Sequence, residues 1–161
     1  PRSTLFPYTT LFRSRTVEKY LDLLEKVFVI KRLGGYSRNL RKEISKGSKY
    51  YFWDNGIRNA IINNFNELPL RNDVGALWEN YLIMERLKKQ SYVKIFSNNY
   101  FWRTYDQKEV DFVEERDGRL YGFEFKWSKT HTKPPALWLE TYPEADFEVI
   151  SQGNYLPFIT A

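Results

Sequence analysis

The stretch EVDFVEERDGRLYGFEFKW, Glu109 to Trp127, sets two acids and a lysine among aromatic and β-branched residues, with Asp117-Gly118 at its middle. Asp-Gly between two alternating runs signals a two-residue hairpin turn, because both turn positions need positive φ. Such a turn predicts a register with Phe112 opposite Phe123 and Val110 opposite Phe125 on one apolar face. On the other face, Asp111 falls opposite Glu124 and Glu109 opposite Lys126. Opposed Cβ atoms lie roughly 5 Å apart, and like charges directly opposite destabilise a sheet. A hard divalent cation held by both carboxylates would offset the repulsion, with Lys126 on the same face to assist. The same spacing also suits a solvated outer face whose acids and lysine pair locally.

Composition narrows the chemistry. A chain of 161 residues with 42% hydrophobic residues, 12 Tyr, 12 Phe and 5 Trp is globular and long enough to bury a core, in one domain or two small ones. It has no cysteine and one histidine, His131, which excludes thiolate zinc sites and disulfides and argues against imidazole-based metal sites and serine-type triads. Carboxylates must carry any metal. No apolar run is long enough to cross a bilayer and no hydrophobic signal segment is found, so a cytoplasmic location and no membrane partner are expected.

The formal charge of +5 includes a segment of separate origin. TLFPYTTLFRS, Thr4 to Ser14, resembles the in-frame translation of an adapter ligated to DNA for short-read sequencing. Residues 1–14 are therefore read as adapter-derived and not native, with the natural N-terminus missing. Setting aside Arg2 and Arg13 leaves a charge of +3.

From Thr16, TVEKYLDLLEKV places Val17, Tyr20, Leu21, Leu24 and Val27 at helical spacing behind Thr16 as a cap. VFVIKRL then reads as a strand, Gly34-Gly35 as a turn, and KYYFW as a second strand before a helix over about 54–63. Lys31, Arg32, Arg38, Arg41, Lys42 and Lys46 crowd the segment between, against one acid, Glu43. A helix followed by a basic hairpin is what a winged helix presents to a DNA backbone, so residues 15–64 are expected to form a partial winged-helix unit with those six basic residues as nucleic-acid contacts. Basic loops are also common as solvated surface.

NNFNELPLRND breaks periodicity, so residues 65–72 read as a linker, with Asp73 available to cap the next helix. DVGALWENYLIMERLKKQ is the longest expected helix, burying Leu77, Trp78, Tyr81, Leu82 and Met84. Glu79 and Glu85 interrupt it, and either could approach a sheet. After it come strand candidates VKIF, FWRTY, EVDFV and YGFEFKW, a helix over 137–142 and a last strand FEVIS. Residues 73–161 thus read as an α/β sandwich with a mixed sheet.

A carboxylate hairpin after a glutamate-bearing helix resembles the restriction-endonuclease-like superfamily, whose signature is PD-(D/E)XK. That resemblance implies Asp111, Glu124 and Lys126 as catalytic residues around magnesium, with Glu79 added from the helix. The proline of the signature is replaced by Val110. A broader resemblance runs from Thr16 to about Phe158. TVEKYLDLLEKVFVIKRL, YSRNLRK, KYYFWDNGIRNAI, LWENYLIMERL, EVDF and FEFKWS, in that order, look like the C-terminal region of bacterial and archaeal AAA-type P-loop ATPases, a domain of unknown function. This implies an ATPase domain in cis, and with it ATP, in the missing N-terminal part; no G-x-x-x-x-G-K-[ST] loop occurs here.

Two function classes compete. As an enzyme, Asp111, Glu124 and the Phe125 carbonyl would hold magnesium for phosphodiester hydrolysis, with Lys126 stabilising developing charge and Glu79 supporting a second metal or orienting water. As a binding module, the same fold would grip DNA or a partner for the ATPase without cleavage.

Overall fold

The computed structural model describes residues 14–38, 43, 47–128 and 132–160. In chain order these form α1 (Ser14–Lys26), β1 (Ile30–Tyr36), β2 (Ser48–Phe52), α2 (Asn55–Ile61), a 3-10 turn (Leu68–Leu70), α3 (Val74–Tyr92), β3 (Asn98–Arg103), β4 (Glu109–Arg116), β5 (Arg119–Phe125), α4 (Ala136–Thr141), β6 (Asp146–Ile150) and α5 (Tyr155–Ile159). One six-stranded sheet runs β2-β1-β3-β4-β5-β6. β1 lies parallel to β3 and β5 parallel to β6, while the other neighbours are antiparallel, so the sheet is mixed.

Each face carries its own core. Leu33, Phe101, Phe112, Phe123 and Phe125 meet Trp78, Leu82 and Ile83 of α3 and Phe158 of α5. Tyr36, Trp102, Val110, Val113 and Leu120 meet Trp138 and Tyr142 at α4. Gly122 lets the second layer close down, since a Cβ there would stand 3.1 Å from the Trp138 ring and 3.2 Å from Val110.

The Asp-Gly turn forms as its chemistry requires: Asp117 and Gly118 take φ of 53° and 73°, and the register runs from Arg116 opposite Arg119 to Phe112 opposite Phe123. Past Phe112 the expected alternation fails. Val113 pairs with Tyr100 and Val110 with Trp102, so three steps along β4 match two along β3. This bulge turns Val110 to the α4 face beside Trp102, away from Phe125.

Other local expectations are corrected. Gly34-Gly35 is not a turn but the end of β1, paired to both Ser48 and the Tyr100-Phe101 segment. VKIF is not a strand: Lys94 adopts φ of 57°, the chain leaves α3 through a turn, and Phe96 stays 86% exposed. Thr16 lies within α1, which already includes Ser14, and does not cap it. α1 is amphipathic as expected, yet its apolar side is open, with Tyr20 64% and Val17 41% exposed. Asp73 makes no capping bond to α3, because the guanidinium groups of Arg71 (2.8 Å) and Arg58 (2.6 Å) claim its carboxylate and hold its pKa well below the usual range. Tyr81 is exposed rather than buried.

The boundary expected at 65–72 separates α2 from α3 but does not divide the sheet. β1 and β2, the hairpin of the expected winged-helix unit, are hydrogen-bonded strands of the same sheet as β3–β6.

Candidate functional site

The ladder between β4 and β5 stops at Phe112–Phe123, and Asp111 explains how the gap beyond it is filled. Its carboxylate accepts the backbone N–H of Phe125 at 2.9 Å, taking the place a strand carbonyl would hold. Asp111 therefore meets β5 through its side chain, beyond the last paired residues of the ladder. Burial raises its pKa first, then the charges of Glu79 on α3 and Glu124 on β5, and together they push it up to about 7 against the opposing Phe125 hydrogen bond and Lys49. Among the described residues, no basic side chain forms an ion pair with Asp111.

The neighbouring acids do have basic partners. Lys126 Nζ lies 2.6 Å from Glu124, and although burial works against its charge, Glu124, Asp111 and Glu79 outweigh it and raise its pKa. Glu109 is not paired with Lys126. It is claimed by Lys49 from β2 and by Arg103 from β3 at 3.1 Å, because the bulge and the β1–β2 hairpin bring those bases closer. Lys49 also reaches Glu79 at 3.2 Å, and Tyr51 donates its hydroxyl to the same Glu79 oxygen at 2.6 Å. Burial opposes the Lys49 charge, but Glu79, Glu109 and Asp111 outweigh it and raise its pKa. Burial and then Glu79 drive the Tyr51 hydroxyl far above its usual pKa, so it stays a neutral donor. A cavity of about 350 Å³ borders Lys49, Tyr51 and Glu79. A larger one, about 520 Å³, opens at Arg86, Arg116 and Phe123, away from these acids.

Of the expected site residues, the structure brings Asp111, Glu124, Lys126 and Glu79 into one electrostatic cluster. Glu85 instead pairs with Lys88 on the helix surface. Among the described residues, no three His, Cys, Asp or Glu side chains stand together as a ready metal cage. Sequence reasoning misses Lys49 and Tyr51, since nothing local ties them to acids 28 to 60 residues along the chain.

Among the described residues, Lys31 and Arg32 of the basic segment do not share a face. Lys31 and Arg32 are neighbours on β1 and so point to opposite sides, Lys31 toward Glu25 (3.2 Å) and Arg32 toward Ser48 (2.8 Å). Arg38 donates to the Tyr36 hydroxyl at 3.0 Å and lies over the Tyr142 ring. Arg41, Lys42 and Lys46, like His131, lie outside the described residues. Glu43, which in the sequence is only a lone acid, is buried on the α4 side, where its carboxylate accepts Trp102 Nε1 and the Tyr142 hydroxyl at 2.7 Å and the Arg38 amide at 2.9 Å.

A mixed α/β domain with a desolvated aspartate amid glutamates and lysines is the class these features define. By sequence, residues 74–141 match the family model of a domain of unknown function, DUF4143. Residues 5–68 match a second domain of unknown function, DUF8612, whose match takes in residues 5–14 of the adapter-like stretch. The chain is 31% identical over 119 residues to an uncharacterized protein of Mycobacterium tuberculosis, Rv2008c, and equally to Mb2031c of Mycobacterium bovis; each alignment covers 71% of this chain and 26% of the relative. A Haemophilus influenzae protein is 28% identical over 111 residues, covering 67% of this chain and 24% of its own length. The chain thus spans about a quarter of the length of the curated relatives it matches. No solved structure matches it. No helix among the described residues is long and apolar enough to cross a membrane.

Proposed function

We propose that this chain is a restriction-endonuclease-like module at the C-terminal end of an AAA-type ATPase, acting on DNA with magnesium at Asp111, Glu124 and the Phe125 carbonyl. One observation carries the reading: Asp111 is a desolvated carboxyl facing two other acids with no ion-pair partner among the described residues, so it is the group a hard cation would satisfy. The donors fit, being hard oxygens with a lysine alongside. Bound there, magnesium would polarise a phosphodiester and lower the pKa of its water. Asp111 is held in place by the Phe125 amide. Lys126, anchored on Glu124, is placed to offset charge developing on phosphate oxygens. Glu79, fixed by Tyr51, orients water. The hairpin β1–β2 belongs to the sandwich in this reading, because its ladder to β3 leaves it no freedom as a wing.

Magnesium or manganese should raise the melting temperature of the chain, by mass action on the folded state. Asp111→Asn and Glu124→Gln should each abolish that shift, while Lys126→Ala should keep it and lower any metal-dependent DNA cleavage by orders of magnitude. An undiminished shift in Asp111→Asn would remove the assignment.

A second reading has its own observation. Lys126, Lys49 and Arg103 already pair with Glu124, Glu79 and Glu109, as suits a non-catalytic DNA- or protein-binding regulatory module of the ATPase. Metal binding with no cleavage, by this chain or by the intact ATPase, would select it.

A further inference from the structure

The Lys49 side chain is unusually constrained for a lysine on an edge strand. Its ammonium touches Glu79 on α3 and Glu109 on β4, with three-quarters of the side chain withdrawn from solvent. The Phe101 ring walls it at 5.5 Å. Each acid has a second partner: the Tyr51 hydroxyl donates to Glu79 at 2.6 Å, and Arg103 forms an ion pair with the other Glu109 oxygen at 3.1 Å. The carboxylates are thus fixed in direction before any ligand arrives, and they converge on a single positive charge.

An ammonium between two oriented carboxylates has the charge sign and the oxygen ligands of a bound cation, supplied by the chain itself. We propose that the Lys49 ammonium holds the place of a divalent ion between Glu79 and Glu109, so that this half of the site is closed to metal. Resting on the function proposed above, this makes the module a one-metal site whose second cation is built in. Glu79 is then a holder of Lys49 and an orienter of water, not a ligand. It also assigns β2 a part in the chemistry: the strand delivers a fixed charge that needs no assembly from solution and cannot be removed by a chelator.

Manganese alone, titrated calorimetrically into the 161-residue chain, reads the stoichiometry. Lys49→Met keeps the apolar stem and removes the ammonium, and it should bind one ion more per chain than the natural sequence does. That ion should be lost again in Lys49→Met/Glu79→Gln. Equal stoichiometry in the natural chain and in Lys49→Met overturns the proposal; if that shared value is one ion, the Asp111 and Glu124 assignment stands without it. No ion in the natural chain and one in Lys49→Met supports the place-holding role and removes the magnesium reading. No ion in either removes both. Should Lys49→Met fail to fold, Lys49→Gln repeats the comparison, since its amide still donates to Glu79 while carrying no charge.

Discussion

Asp111 makes stability fall as the pH rises toward neutral. In the unfolded chain it titrates near the ordinary aspartate value of about 3.9, whereas in the fold it keeps its proton up to about 7. The folded state binds that proton more tightly, so stability is full below the unfolded pKa, falls as pH rises through the interval, and carries its whole penalty above about 7. At roughly 1.4 kcal/mol per unit the loss is on the order of a few kcal/mol. Thermal melts in chelator should show the melting temperature dropping between about pH 4 and pH 7, and Asp111→Asn should flatten the drop. A slope unchanged in Asp111→Asn would assign the titration elsewhere.

Helix α3 is fastened to the sheet by a buried charge pair. Arg86 donates to both oxygens of the fully buried Glu114, at 2.5 and 3.0 Å, and to the Phe158 carbonyl of α5 at 2.8 Å. Gln90 and Arg116 complete the carboxylate's shell. Arg86→Met should cost about 3 kcal/mol in urea unfolding, because it strands a buried carboxylate, while Arg86→Met with Glu114→Leu should recover much of that loss. If the double variant is no better than the single one, the pair contributes more than charge balance.

How much of this can be read from sequence depends on the reach of each interaction. The β4–β5 hairpin is readable because Asp117 and Gly118 carry its whole instruction in two adjacent residues. The bulge beside Asp111 is not, since it exists only against β3, and it is what sends Val110 to the far face. Gly34-Gly35 misleads for the same reason: glycine permits a turn, but two neighbouring strands claim it for the sheet. In the site, the acids and Lys126 are readable as a motif, and Lys49 is not. Lys49 reads only as the first residue of a strand, with nothing local to tie it to Glu79 and Glu109, until β2 is laid at the sheet's edge.

For the molecule entire, the continuous sheet predicts one unfolding event. Leu33 and Tyr51, from the N-terminal hairpin, share a core with Trp78, Phe112 and Phe158. A fragment of residues 73–161 would expose that core and leave β3 as an edge, so it should lack near-ultraviolet circular dichroism and aggregate. The full chain should melt in a single transition by every probe. A fragment that folds with native dispersion in its amide spectrum would instead support a domain boundary at 65–72.

The parallel pairing of β1 with β3 also has a bearing on synthesis. As the chain leaves a ribosome, β1 and β2 can close as a local hairpin, but the inner edge of β1 stays open until Asn98 and the strand after it have emerged. All of α2 and α3 must be made in the interval. Contacts of such long sequence separation form slowly, and an open strand edge beside exposed aromatic side chains is a target for mispairing. Nascent chains stalled before β3 are therefore the species that should engage chaperones, and synonymous changes that slow translation through α3 should lower the soluble yield without altering the finished protein.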